Sequence, residues 1–139
     1  MSGFARCGVL AAALLVLSGC ASAPAGYARP EPMVGLATLT VYRLSEGRSG
    51  PLWIFLNGEP LGPLEKNEHL IHRVVPGELL IRVEDELGTA GLGVDVIDGD
   101  EAIVRVHRGE GELWLERPLG SDALEQIRAT SPRDPAVAG

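Results

Sequence analysis

Asn57-Gly58, Pro76-Gly77, Asp98-Gly99 and Gly109-Glu110-Gly111 punctuate the chain at short, regular intervals. This spacing limits what can form between them. Asn-Gly and Asp-Gly accept positive φ at both turn positions, and Pro-Gly joins a preset φ to an unrestricted residue, so each reverses the chain tightly. The stretches left between turns are short for helices that must bury a face, but long enough for strands.

Those stretches read as strands. In Ala37–Arg43, Ala37, Leu39 and Val41 alternate with Thr38, Thr40 and Tyr42, the pattern of a strand with one face towards solvent. Ser45–Pro51 is a loop by composition. Leu52-Trp53-Ile54-Phe55-Leu56 is apolar on both faces, as expected of a central strand. Glu59–Leu64 carries Pro60 and Pro63, which cannot donate to a ladder, so it belongs at an edge. His69–Val75 follows, and then Glu78–Glu84 with Leu79, Ile81 and Val83 facing inwards. Leu92, Val94 and Val96 define the next run, and Ala102, Val104 and Val106 the one after it. Leu113–Arg117 is the last. The pattern predicts an all-β domain, an antiparallel β-sandwich of seven to eight short strands, without βαβ units.

One helix follows the strands. Ser121 or Asp122 is the expected cap, with Glu125 three residues after Asp122 as in a capping box, and Leu124 and Ile127 share a face. The expected domain is 37–130, with a disordered tail over 131–139.

The start of the chain has a different character. Met1–Arg6 holds one positive charge, and Gly8–Leu17 is an apolar run. That run is about half the roughly 20 residues a membrane-spanning helix needs, so it suits a signal peptide rather than an anchor. Leu17-Ser18-Gly19-Cys20 resembles the lipobox of bacterial lipoproteins. The resemblance implies cleavage between Gly19 and Cys20, and lipidation of Cys20 with a diacylglyceryl group and an N-acyl chain such as palmitate. Residues 1–19 are then the signal peptide. Cys7 leaves with them, and Cys20 becomes the mature chain's only thiol, so no disulfide is expected. By analogy, Ala21 after the cysteine, where an aspartate would favour the inner membrane, points to the periplasmic face of the outer membrane.

Residues 20–36, rich in Ala, Pro, Ser and Gly, read as a flexible tether. Its fifteen residues after Cys20, 21–35, reach roughly 50 Å when extended. The full chain carries 12 basic and 19 acidic residues, net −7; without Arg6 the mature chain has 11 against 19, net −8. An acidic chain with 4% aromatic residues argues against nucleic acid, whose recognition requires basic grooves and stacking rings.

Val41-Tyr42-Arg43, then Asn57-Gly58-Glu59-Pro60-Leu61-Gly62, then Pro76-Gly77 and a closing Trp-Leu strand form a recognisable order. It resembles a domain-of-unknown-function family of small bacterial envelope lipoproteins. The hairpin and the Pro-Gly turn are similar to the PEGA domain, a small envelope β-sandwich. The resemblance implies an envelope location and a sandwich fold, and it brings no activity with it.

The remaining chemistry-bearing residues are scattered. Glu84-Asp85-Glu86, and Asp95 with Asp98, Asp100 and Glu101, lie at opposite ends of one expected strand and read as solvated turns. His69, His72 and His107 read as solvent-facing strand residues; His69 and His72, three apart, point to opposite faces. The glycines of Gly88-Thr89-Ala90-Gly91-Leu92-Gly93 precede a strand rather than a helix, so they suggest a bulge or a close backbone approach and no phosphate loop. Trp53 is expected in the core. Trp114, opposite in direction to Leu113 and Leu115, is expected under the helix or exposed for binding. No catalytic residue, metal ligand or cofactor is expected. The functional expectation is a lipid-tethered, non-enzymatic sandwich that binds or spaces envelope components through a protein or glycan partner, and the alternative is a glycan or peptidoglycan binder using Trp114.

Overall fold

The computed structural model describes residues 27–133. The signal-peptide segment, Gly19, Cys20, the tether up to residue 26 and the tail from residue 134 lie outside the described residues.

The elements run β1 (Ala37–Arg43), β2 (Leu52–Leu56), β3 (Glu59–Leu64), β4 (Glu68–Val74), β5 (Gly77–Asp85), β6 (Gly88–Val96), β7 (Glu101–Arg108), β8 (Leu113–Glu116), α1 (Gly120–Arg128) and β9 (Ser131–Pro132). They form two stacked sheets, β8-β7-β1-β4-β9 and β3-β2-β5-β6. The eight expected runs are all strands, and the fold is an all-β sandwich with a C-terminal helix. The alternating apolar residues meet between the sheets. Leu39, Val41, Val104 and Val106 of one sheet face Leu52, Ile54, Ile81 and Val83 of the other in a single buried core.

Local sequence accounts for most of the turns. Asn57 (φ 48°) and Gly58 (φ 85°) both occupy the left-handed region, as a tight hairpin between β2 and β3 requires. The β3 prolines lie on an edge strand, as expected, and the irregularity they bring is a register shift opposite Ile54 and Phe55. Gly47 is held by space as well as conformation, because a Cβ there would sit 1.5 Å from the Arg108 carbonyl oxygen. That close approach seats the 45–51 loop on the end of β7.

Several expectations are corrected. The sandwich is not purely antiparallel: β1 pairs parallel with β7, and β9 parallel with β4. β1 is not half solvated, because all seven of its residues are buried. A third layer covers its outer face, with Ile127 and Leu124 of α1 packed against Tyr42, Ile103 and Tyr27. The helix lacks a side-chain cap. It begins at Gly120 with Leu119 as an extended N-cap, so Ser121 and Asp122 fall inside the first turn. Asp122 there still complements the helix dipole. The Gly88–Gly93 run forms no bulge, since β6 pairs with β5 in continuous register from Gly88 to Val96.

The chain past the helix is also ordered further than expected. Ser131 donates from its backbone N–H to Asn67 O (2.7 Å) and Arg133 to His69 O (2.8 Å), which makes β9 of residues expected in a disordered tail. The Arg133 side chain reaches Leu61 O on the other sheet (2.5 Å). At the other end, the expected tether returns to the domain at Tyr27. Tyr27 is buried, its hydroxyl donates to Glu101, and its ring meets His69 edge-on with centroids 5.5 Å apart. Burial first, and the bond to Glu101 second, push the Tyr27 phenol up to about 12, so it remains a neutral donor. Arg29 adds an ion pair to Glu101 at 2.9 Å.

Candidate binding site

β7 and β8 form the hairpin that carries the candidate site. Alternation puts Val106 and Arg108 towards the interior and Arg105 and His107 on the outer face. The antiparallel register sets His107 opposite Trp114, and Arg105 opposite Glu116. The two rings of the first pair stack almost flat, with centroids 4.4 Å apart and planes 5° from parallel. His107 Nε2 lies 2.5 Å from Glu116 Oε1. Glu46, brought in by the loop that Gly47 seats, pairs with Arg105, and its carboxylate lies 3.6 Å from His107 Nδ1. An open depression of about 350 Å³ results, lined by Glu46, Gly47, Arg105, His107 and Trp114 among others.

Trp114 is therefore not under the helix. It lies beside it on an edge strand, 42% exposed, with the histidine ring as its support. An indole with an open apolar surface, rimmed by a guanidinium, an imidazole and carboxylates, matches a ligand with one apolar face and a polar edge. Pyranose rings have that form. The histidine–carboxylate contact alone would suit proton transfer, but the lining offers no hydroxyl or thiol nucleophile beside it.

The other sequence candidates disperse. His72 is exposed, as expected, but His69 is buried and His107 half-buried. His69 Nδ1 lies 2.8 Å from Thr130 Oγ1, whose own proton goes to Ile127 O (2.6 Å), so His69 is the donor to Thr130. Burial pushes its pKa down, in favour of the neutral ring. Trp53 is not a core residue. It is 43% exposed on the outer face of the four-stranded sheet, beside a depression of about 230 Å³ that Arg48, Pro51 and Glu84 also line.

The acidic clusters have local work. Asp85 accepts from the Leu87 and Gly88 N–H groups and pairs with Arg108 at 2.8 Å; Asp98 accepts from Gly35 N at 2.7 Å. Among the described residues no group of three or more His, Cys, Asp or Glu side chains is arranged to hold a metal ion.

Sequence reasoning missed two buried arginines and the roles of Glu46 and Arg105. Arg43 donates to the carbonyls of Gly50 (2.6 Å), Leu64 (3.2 Å) and Arg48 (2.5 Å), and so ties the 45–51 loop down. Tyr42 donates to Gln126 of the helix at 2.6 Å. Val41-Tyr42-Arg43 is thus a strand end that holds core, helix and loop together. The pairing of His107 with Trp114 follows from a four-residue turn, Gly109–Glu112, about which the two lie symmetrically. The place of Glu46 was not readable, because only the tertiary fold brings it there.

No protein-family model matches this chain, and no curated protein matches it either. The resemblance to envelope lipoproteins and the PEGA domain rests on the residues quoted above. No helix among the described residues is long and apolar enough to cross a membrane.

Proposed function

We propose that this chain is a lipid-anchored module of the bacterial cell envelope whose sandwich binds a glycan, of the peptidoglycan class, at Trp114. The anchor is a lipid on Cys20, and the location is the periplasmic face of the outer membrane. The module is non-enzymatic: it holds or spaces an envelope component and does not alter it. The observation that carries the glycan reading is the exposed Trp114 stacked on His107 within a rim formed by Glu46, Arg105 and Glu116. His107 fixes the indole before any ligand arrives, which lowers the ordering cost of binding.

Titration with soluble peptidoglycan fragments tests this reading. In a Trp53→Phe background the fluorescence reports on Trp114 alone, and its emission is expected to shift on binding. Trp114→Ala is expected to weaken binding by about 1.4 kcal/mol or more, tenfold in Kd. Unchanged affinity in Trp114→Ala would reject this site. The anchor is tested separately: Cys20→Ala should move the protein out of the membrane fraction.

A further inference from the structure

The two ends of the sandwich differ in the residues they offer to solvent. At the end where β1 begins, three turns lie together. Leu36 N donates to Met33 O (3.2 Å), Gly99 N to Leu36 O (2.9 Å) and Gly35 N to Asp98 Oδ1 (2.7 Å). The pairs Ala37–Val74 and Gly77–Val96 bring the β4–β5 turn to the same end. Each turn exposes an aliphatic side chain: Met33 46% and Val34 95% exposed in the first, Val75 74% in the second, Ile97 72% in the third. Turn tips of a soluble surface are ordinarily polar, and clustered exposed apolar groups mark an interaction surface. The opposite end carries the Ser45–Pro51 loop, Glu65-Lys66-Asn67 and Gly109–Glu112, with Leu87 as its exposed large aliphatic residue.

We propose that the cluster of Met33, Val34, Val75 and Ile97 rests on the lipid bilayer that holds the anchor. This rests on the reading of Cys20 as lipidated. Tyr27 is fixed to the domain by Glu101 and His69, so the free chain between lipid and domain is much shorter than residues 20–36 suggest. Six residues separate Cys20 from Tyr27, and the seven steps between the two span at most about 25 Å. Tyr27 shares Glu101 with Thr40, three strand residues or about 10 Å from Ala37 and the apolar end. The anchor thus reaches the plane of the three turns with chain to spare. The same length also reaches the polar end, and the aliphatic tips decide between the two. Tethering keeps the end at high local concentration near the bilayer, so contact needs little intrinsic affinity. The acidic chain selects neutral over anionic headgroups.

The test uses the lipidated full chain in phosphatidylcholine vesicles, with one environment-sensitive fluorophore on Ile97→Cys or Leu87→Cys. Acylated Cys20 cannot react, so the label is unique. The expected result is a blue-shifted emission at position 97, quenched at least several-fold more by nitroxide lipids than at position 87. Adding Val34→Asp should reduce that difference. Vesicle-bound protein with both positions equally open to water would overturn the proposal and leave the anchor intact. An intact mass without acyl chains would overturn the anchor and the proposal together.

Discussion

His69 shows how one buried residue ties segments from both ends of the described chain to the sheet. Its ring receives Tyr27 on one side, donates to Thr130 on another, and its backbone carbonyl accepts from Arg133. Burial holds its folded pKa below the ordinary 6.5. Over the interval below 6.5 the unfolded chain binds more protons than the folded one, so stability is fully present above about 6.5 and falls as pH drops through the lowered value. Urea unfolding between pH 7.5 and 5 should show that loss. His69→Gln should flatten the acid side of the curve while costing about 1 kcal/mol near pH 7.5 through the changed hydrogen bond. An acid slope identical in the two proteins would remove His69 as its cause.

At the scale of elements, β1 is the centre of the molecule. It is flanked by β4 and β7, and covered by the second sheet on one face and by α1 with Tyr27 on the other. Leu39 is completely buried there, so Leu39→Ala should cost about 2–5 kcal/mol, read as a lowered denaturant midpoint with unchanged slope. β9 is the smallest element, and Arg133 just after it joins the sheets, bonding to Leu61 on one and His69 on the other. Ending the chain after Thr130 removes those bonds and exposes the edge of β4. A loss of about 1–3 kcal/mol in chemical denaturation is expected. No measurable change would mean that β9 adds nothing to the stability of the sandwich.

At the scale of the whole molecule, the two proposed surfaces divide along the strand direction. The apolar turns cluster where β1 begins, whereas Trp114 lies near the β7–β8 turn at the other end of β7. With the apolar end on a bilayer, Trp114 is carried away from the lipid towards a ligand beyond it.

The sequence by itself determined the strands, because alternation and turn chemistry are local. Leu79, Ile81 and Val83 could not change faces without reversing the whole strand, and Asn57-Gly58 could hardly do anything but turn. The sandwich, its proline-bearing edge and the short helix followed from that. Tertiary structure alone decided which faces are covered twice. Tyr42 reads as solvent-facing until α1 and Tyr27 fold over it, whereas Trp53 reads as core but is 43% exposed among the described residues. Burial is a property of what packs against a residue, and here the covering groups come from distant parts of the chain. The same reason hid the candidate site: His107 and Trp114 were near in sequence, but Glu46 joins them only through the seating of its loop on β7.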